Sequence, residues 1–151
     1  MNKNEQHLDN QLCFRLYTAA RLTMGAYKPY LEPLGITYPQ YLVLLVLWEQ
    51  DKQPVCDIGK RLLLNTNTIT PLIQRMEKAG LVTRTRGEKD TRQRIVSLTD
   101  KGRTMQKQAK RIHDSIRAEV TPKLGNEDEI MGMIPTLEML IEALKILNIN
   151  Q

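Results

Sequence analysis

The segment from residue 81 to residue 98 constrains the fold of this 151-residue chain more than any other part of it. Two short runs rich in Val, Ile and Thr flank a polar loop that is dense in arginine. Immediately before them, residues 66–79 have the apolar spacing of a helix that Gly80 closes. A helix followed by an arginine-tipped hairpin is the arrangement of a winged helix-turn-helix, with the helix in the major groove of DNA and the loop against the backbone or minor groove. We therefore predict a mainly α-helical fold with a small β-hairpin wing that binds double-stranded DNA.

The distribution of charge supports this prediction. Residues 60–111 contain 14 Lys and Arg side chains and only 4 Asp and Glu, whereas the rest of the chain is net acidic and the net charge is only +5. Positive charge concentrated in one third of a chain is typical of a surface that binds phosphates. A basic surface that is merely solvated is the alternative.

The overall composition is that of a globular protein. Hydrophobic residues make up 41% and charged residues 26%, and the length suits one domain with a substantial core. The first ten residues are polar, and the longest apolar run, residues 41–48, is far too short to span a bilayer. The two cysteines do not make a disulfide framework. We therefore expect a cytoplasmic protein with no membrane association.

Apolar periodicity and chain breakers divide the rest of the chain into helices around the hairpin. The predicted helices are 8–24 with an end marked by Pro29, 38–50, 54–64, 66–79, a helix capped by Thr99 and Asp100 and broken by Pro122 and Gly125, and 126–147, which Pro135 should interrupt or kink. We expect a single domain over residues 1–151, with its winged-helix DNA-binding unit at 36–100. Residues 6–34 and 101–148 are expected to be dimerisation helices.

The terminal helices have broad apolar faces that a small winged-helix core does not need. Surplus apolar surface of this kind usually indicates a partner. A two-fold homodimer is favoured, because it sets two DNA-reading helices at the spacing of a pseudo-palindromic operator. The alternative is that the terminal helices pack on their own domain.

The predicted fourth helix is the DNA-reading helix. It opens with capping residues at positions 65–67, and its apolar stripe should face the core. The stripe consists of Ile69, Leu72, Ile73, Met76 and Ala79. The outward face carries side chains that can meet base edges and phosphates. The predicted contacts are Thr66, Asn67, Thr68, Thr70, Gln74 and Arg75, together with Pro71, which falls in or next to the first turn.

Patterns for catalysis or metal binding do not stand out. His7 and His113 are isolated, and neither cysteine belongs to a Cys-x-x-Cys pair. The sequence shows no glycine-rich phosphate loop, and the spacing suggests neither a nucleophilic triad nor paired carboxylates. We expect no enzyme activity, no cofactor and no metal.

Cys13 is a candidate for redox chemistry. It lies early in the first predicted helix, and Tyr17, Tyr27 and Tyr38 follow within 25 residues. Tyr17 is one helical turn away, so its hydroxyl can approach the sulfur. Hydroxyl donors stabilise a thiolate, which is the form that attacks peroxides. An inert core cysteine is the alternative for Cys13, and Cys56, beside the third helix, is interpreted as structural.

Taken together, the chain resembles the MarR family of bacterial transcriptional regulators, and within it the organic-hydroperoxide-sensing (OhrR-type) branch. The resemblance covers roughly residues 8–102. The matching segments are the wing signature Asp90-Thr91-Arg92 followed by Ser97-Leu98-Thr99 and Gly102, the block Asn10-Gln11-Leu12-Cys13-Phe14 with Tyr17, and the blocks Tyr27-Lys28-Pro29 and Ile36-Thr37-Tyr38-Pro39-Gln40-Tyr41.

The resemblance implies a homodimer whose terminal helices interlock, with each fourth helix in a major groove and each wing at the minor groove. The wing residues expected to contact DNA are Arg84, Arg86, Asp90, Arg92 and Gln93. In this branch the cysteine that matches Cys13 is oxidised by organic hydroperoxides and the operator is released. The matching tyrosines hydrogen-bond around it, with Tyr27 and Tyr38 supplied by the partner subunit.

The chain departs from one version of the pattern, because residues 105–151 contain no second, resolving cysteine. Capping of an oxidised Cys13 by a low-molecular-weight thiol is therefore favoured over an intersubunit disulfide, with over-oxidation as the irreversible route. Three alternatives stay open at this point. They are a MarR-type repressor released by a small aromatic ligand, a thiol peroxidase, and an architectural protein that binds DNA without sequence preference.

Overall fold

The computed structural model describes residues 7–148, which form two compact units divided after Ile112. As predicted, the described chain is mainly helical with a small antiparallel sheet. The helices are α1 Leu12–Leu31, α2 Tyr38–Glu49, α3 Val55–Leu62, α4 Thr66–Lys78, α5 Asp100–Leu124 and α6 Glu127–Asn148, with 3-10 turns at Leu8–Asn10 and Glu32–Leu34. The strands are β1 Gln53–Pro54, β2 Val82–Arg86 and β3 Arg94–Leu98.

Helix α2 forms the centre of the winged-helix core. A capping box starts it, in which the Thr37 amide donates to Oε1 of Gln40 at 2.9 Å. The helix is apolar on almost every side, and Val43, Leu44 and Leu47 are essentially inaccessible to solvent. The prediction that this helix is buried is confirmed.

The turn between α3 and α4 is built from two helix caps. Leu63 adopts a left-handed conformation after α3, and its amide and that of Leu64 donate to the last turn of that helix. Asn65 then caps α4, with its side-chain oxygen accepting from the Thr68 amide at 3.0 Å. The predicted core stripe of α4 is buried except at Ala79, which is exposed at the C-cap because the helix ends one residue earlier.

The sheet has the strand order β1-β3-β2. The predicted hairpin pairs Val82 with Leu98 through to Arg86 with Arg94. The third strand, β1, pairs Gln53 with Val96 and was not predicted. A two-residue strand that contains a proline has no sequence pattern of its own, and its pairing is set by the ends of α2 and α3.

Three of the predicted helix breaks are wrong. Helix α1 continues through Pro29 to Leu31, α5 includes Pro122, and α6 runs unbroken through Pro135. Proline removes one amide donor, but its φ near −65° is itself helical, so a helix end does not follow from proline alone. Gly125, with a φ of 80°, does follow the last residue of α5.

The start of α5 is tied to the sheet by polar contacts. Trp48 donates its indole N–H to the Gly102 carbonyl at 2.9 Å, and Arg103 donates to Oδ2 of Asp51 at 2.8 Å. The other carboxylate oxygen of Asp51 accepts from the Leu98 amide of β3, also at 2.8 Å. Partial burial acts to raise the pKa of Asp51, but these donors, the Lys52 amide and the charge of Arg103 outweigh it and hold the pKa below its ordinary value.

Apolar side chains remain exposed on both terminal helices. On α1 these include Leu12 and Leu22, and on α6 they include Met139 and Leu147, each more than half exposed. Over residues 7–148, no helix combines the length and apolar character needed to cross a membrane.

Candidate functional site

Helix α4 presents the face that the sequence predicts for DNA. Its apolar side rests on the core, and the polar side chains project from the opposite side. The exposed members of the predicted set are Thr66, Asn67, Thr68, Gln74 and Arg75, whereas Thr70 and Pro71 are half-buried. The Thr68 hydroxyl also donates to Oδ1 of Asn65 at 3.0 Å, so it takes part in the cap of this helix.

Pro71 lies in the second turn of α4 rather than the first, since the helix begins at Thr66. Its ring nitrogen has no hydrogen to give to the Asn67 carbonyl four residues earlier. That carbonyl therefore accepts no backbone hydrogen bond from the residue four positions later in α4.

The wing brings a second set of predicted residues together at the tip of the hairpin. Arg86, Asp90, Arg92 and Gln93 are all exposed there. Oδ1 of Asp90 accepts from the Arg92 amide at 2.9 Å, so the carboxylate organises the loop rather than pointing freely outward. Within residues 7–148, neither Arg86 nor Arg92 forms an ion pair with an acidic side chain.

Arg84 does not join this set. Its Nε donates to Oε2 of Glu77 at 2.8 Å, its Nη2 lies 2.6 Å from the same oxygen, and its amide donates to Oε1 at 3.2 Å. The hydrogen bond from Arg84, together with its charge, lowers the pKa of Glu77 against the opposing effect of desolvation. Because the Arg84 side chain is only 25% exposed, the geometry favours its attaching the wing to α4, and we leave it out of the DNA contacts proposed below.

The thiol of Cys13 is exposed near the amino end of α1, so within one chain it is not the inert core cysteine of the alternative interpretation. Tyr17, one turn later on the same helix, is 66% exposed. Tyr27 lies 14 residues beyond Cys13 on this continuous helix, which at about 1.5 Å per residue separates them by roughly 21 Å along the axis. Tyr27 therefore cannot reach the thiol of its own chain.

Three tyrosines, Tyr27, Tyr38 and Tyr41, form one cluster near the other end of α1. The rings of Tyr27 and Tyr38 meet edge to face with centroids 5.0 Å apart, and Tyr41 lies within 6.1 Å of both. Burial raises the pKa of all three phenols, that of Tyr41 to about 12 with a smaller contribution from repulsion by Tyr27 and Tyr38. The hydroxyls therefore stay protonated at neutral pH and can donate hydrogen bonds.

Several residues of the site were not singled out from the sequence. Tyr41 continues the tyrosine cluster to Trp48, with ring centroids 6.3 Å apart, and Trp48 in turn contacts Gly102. Arg94, in the wing, contacts loop carbonyls rather than an acidic residue. The arginine-rich composition of the wing was visible in the sequence, but it does not separate arginines that bind protein from those that stay free.

Cys56 is exposed at the start of α3, with its sulfur 3.6 Å from Oδ1 of Asp57. This exposure does not support a structural role in the core. Within the described part of the chain, no three His, Cys, Asp or Glu side chains are grouped so as to hold a metal ion.

Comparisons with known sequences place the chain among transcriptional regulators. The family model described as transcriptional regulator SarA/Rot matches residues 26–109. An organic hydroperoxide resistance transcriptional regulator of Bacillus subtilis (strain 168) is 48% identical over 102 residues, which is 68% of this chain and 69% of that protein. The HTH-type transcriptional regulator TtmR of Methylorubrum extorquens (strain PA1) is 52% identical over 98 residues, 65% of this chain but only half of that protein.

Solved structures give the same result. Reduced AbfR bound to DNA, 38% identical, matches with a TM-score of 0.80 over 95% of this chain and 99% of that one, and overoxidised AbfR bound to DNA matches over the same shares with a TM-score of 0.79. A disulfide-formed AbfR, 39% identical, matches with a TM-score of 0.63 over 96% of this chain and 94% of that one. AbfR has been solved from Staphylococcus epidermidis. These relatives are regulators rather than enzymes, as expected for this chain. The chain therefore belongs to the MarR/SarA family of DNA-binding transcriptional regulators, in the branch of the organic-hydroperoxide-resistance (OhrR-type) regulators.

Proposed function

We propose that this protein is a redox-responsive repressor. A homodimer holds a pseudo-palindromic operator while Cys13 is reduced and releases it when an organic hydroperoxide oxidises that sulfur. The likeness to the organic hydroperoxide resistance transcriptional regulator of Bacillus subtilis supports the choice of oxidant. We also propose that the protein is located in the cytoplasm.

In the DNA complex, α4 lies in the major groove and the wing lies against the neighbouring minor groove. The proposed contacts of α4 are its exposed polar residues together with the half-buried Thr70 and Pro71, namely Thr66, Asn67, Thr68, Thr70, Pro71, Gln74 and Arg75. The wing contributes Arg86, Arg92 and Gln93, while Asp90 shapes the loop. Exposed arginines that lack acidic partners are suited to phosphates, because binding does not first have to break an ion pair.

The dimer is supported by apolar surface that one chain leaves in contact with water. Leu12 and Leu22 on α1 and Met139 on α6 are 58–68% exposed. Burying such side chains against a second copy is favourable by about 25 cal/mol per Å² of apolar area. A two-fold dimer also supplies the second α4 that a two-half-site operator requires.

The distance between Cys13 and Tyr27 along α1 is the observation that carries the redox proposal. One chain holds a thiol near one end of the continuous helix α1 and a cluster of protonated tyrosines near the other, roughly 21 Å away. An antiparallel second copy of α1 brings the tyrosine end of one chain to the thiol end of the other. The sensor is then completed by Cys13 and Tyr17 of one subunit and by Tyr27 and Tyr38 of its partner.

The chemistry at this composite site is a two-electron oxidation of sulfur. The Cys13 thiolate attacks the hydroperoxide, so that an S–O bond forms, the O–O bond breaks and the alkoxide leaves, taking a proton to become the alcohol. The sulfenic acid then condenses with a low-molecular-weight thiol to give a mixed disulfide and water. A tyrosine hydroxyl beside the sulfur can donate to the departing oxygen.

Oxidation acts on DNA binding through the dimer. A polar oxygen or a thiol cap at Cys13 separates groups that belong to different subunits. Because the two copies of α4 must match the spacing of two half-sites, a shift at the subunit boundary changes the fit of both at once.

A cysteine-specific assay tests the proposal. The probe is a duplex enriched from a random-sequence pool by the reduced wild-type protein, and the oxidant is cumene hydroperoxide. We expect wild type and Cys56→Ser to release the duplex after treatment, and Cys13→Ser to bind it with unchanged affinity before and after. Release of the duplex from the oxidised Cys13→Ser protein would contradict the proposal.

Mass spectrometry of the same samples identifies the product. A mass added at Cys13 in the presence of a small thiol supports capping, whereas a peptide linking Cys13 to Cys56 shows a disulfide instead. An overoxidised form of AbfR is described bound to DNA, so affinity is measured for each oxidation state of this chain separately. Release by a salicylate-like compound but not by peroxide would favour the small-ligand alternative.

A further inference from the structure

The wing loop, residues 87–93, is closed by hydrogen bonds within itself. The Gly87 amide donates to the Gln93 carbonyl and the Gln93 amide donates to the Asp90 carbonyl, each at 3.1 Å. The Asp90 carboxylate accepts from the Arg92 amide at 2.9 Å. The loop therefore has a defined shape before any ligand arrives.

Gly87 is part of this closure. It is buried, and a Cβ at this position would lie 2.6 Å from the Asp90 carbonyl oxygen and 3.3 Å from the Cβ of Gln93. Any larger residue would push the two sides of the loop apart. Compactness of the loop is therefore built into the sequence.

Arg94 follows the loop and contacts the residues on both sides of Arg92. Its Nη1 donates to the Thr91 carbonyl at 3.1 Å and, more weakly, to the Gln93 carbonyl at 3.4 Å. One guanidinium thus holds the chain immediately before and immediately after Arg92, whose amide is held by Asp90.

The position of Arg94 is otherwise unfavourable. It pairs directly with Arg86 across the first rung of the hairpin, and like charges on opposite strands repel. The carbonyl oxygens of Thr91 and Gln93 offer its guanidinium partial negative charge on the loop side. These contacts give a reason for arginine at a site where the neighbouring strand already carries one.

We propose that Arg94 is a positioning residue for DNA binding, which fixes the wing loop so that Arg92 leaves it in the direction needed to contact the duplex. Arg94 acts on DNA through Arg92 and is not itself a phosphate contact. Pre-ordering the loop reduces the conformational entropy that Arg92 would otherwise lose on binding. The inference rests on the proposed contact between Arg92 and DNA.

The test is a double-mutant cycle on the full-length protein, with the duplex enriched from a random pool as probe. Affinity is measured at several salt concentrations for Arg94→Gln, Arg94→Lys, Arg92→Ala and the double variant Arg92→Ala/Arg94→Gln. We expect both Arg94 variants to weaken binding by about 3- to 10-fold, because neither side chain can hold two carbonyls as the guanidinium does. The salt dependence of Arg94→Gln should match that of wild type, and Arg94→Gln should have no further effect when Arg92 is absent.

Each other outcome overturns the inference. Wild-type affinity in Arg94→Lys shows that charge alone matters, and a salt slope lowered by about one unit in Arg94→Gln shows a direct phosphate contact. An equal effect of Arg94→Gln with and without Arg92 shows that the two act independently. If Arg92→Ala itself leaves affinity unchanged, the proposed Arg92 contact fails as well. Circular dichroism and thermal melting establish that each variant is folded, and Arg94→Lys serves if Arg94→Gln is not.

Discussion

Helix α2 buries Val43, Leu44 and Leu47 to an exposure of 1% or less, whereas α1, which is eight residues longer, buries only Leu31 among its 20 residues. The winged-helix unit buries the apolar side chains around α2 within one chain. The amino-terminal part of α1, which carries the thiol, does not. The proposed DNA contacts thus lie on a unit whose core is formed within one chain, while the proposed redox site needs a second copy to be complete.

The difference between the winged-helix unit and the terminal helices is tested most directly by placing charge on the exposed apolar faces of α1 and α6. The double variant Leu22→Glu/Met139→Glu should be monomeric in sedimentation velocity, because two carboxylates would be buried at the interface. Its affinity for the enriched duplex should fall by a factor on the order of 100 or more, since the two half-sites are then bound independently.

Leu63→Glu is the matched control for oligomeric state, because Leu63 is 54% exposed but belongs to the winged-helix unit. It should sediment as the wild type does. A double variant that remains dimeric would show that neither altered side chain lies in the subunit interface.

Glycine substitutions distinguish the two regions by stability. A Cβ at Gly102 would lie 2.3 Å from the Leu81 carbonyl oxygen and 3.1 Å from Leu98, so Gly102→Ala should lower the free energy of unfolding by about 3 kcal/mol. On α1, Gly25 has nothing within 4 Å of its Cβ position, and Gly25→Ala should stabilise the helix by about 0.5–1 kcal/mol. Both changes are measured by urea unfolding at one protein concentration.

A loss of stability in Gly25→Ala would locate a close approach of the second copy at this point of α1. A Gly102→Ala protein as stable as wild type would contradict the tight packing between α5 and the residue that precedes β2.

The two regions also differ in how far the sequence predicts them. In the winged-helix unit, patterns with local causes were sufficient: the Asn65 cap began α4, and the apolar stripe from Ile69 to Met76 lay inward. Strand β1 was missed because it depends on a contact between segments distant in the sequence, in which Gln53 pairs with Val96. Arg84 contacts Glu77, and whether it also contacts DNA stays a prediction.

Around the thiol, the burial that the sequence pattern predicts is not found in a single chain. The apolar spacing on α1 predicts a buried face, and that face is exposed in the monomer. Apolar periodicity predicts that a helix face is buried, but it does not predict whether the same chain or a second chain buries it. The meeting of Cys13 with Tyr27 and Tyr38 of a second copy therefore remains a prediction, whereas the burial of the core residues of α2 and α4 is observed.

Asp51 provides an electrostatic test of the winged-helix unit. Asp51→Asn should lower the free energy of unfolding by about 1–2 kcal/mol at neutral pH, because its amide cannot accept from Arg103 as the carboxylate does. The folded-state pKa of Asp51 lies below the ordinary value of 3.8, so this stabilisation is complete above 3.8 and is lost as the pH falls through the folded-state pKa. Urea unfolding of wild type and variant between neutral and acid pH should show the difference shrinking below 3.8.

The control is Asp100→Asn, which removes the other carboxylate near Arg103. Its oxygen is 3.6 Å from Nη1 and its side chain is fully exposed, so the effect should be much smaller. Equal losses in the two variants would show that the charge of Arg103, rather than the Asp51 network, sets the stability.

The smallest expected effect concerns Leu63, where the backbone of the winged-helix unit is locally strained. Leu63 adopts a φ of 56° and a ψ of 37° after α3, a left-handed conformation that costs a residue with a side chain roughly 1–2 kcal/mol and glycine almost nothing. Since the side chain is 54% exposed, Leu63→Gly loses little buried apolar area and should raise the free energy of unfolding by about 0.5–1 kcal/mol. Leu62→Gly, one residue earlier and helical, should instead destabilise the protein. If Leu63→Gly also destabilises, the exposed leucine is covered in the folded protein, and the winged-helix unit would depend on a partner in the way that α1 does.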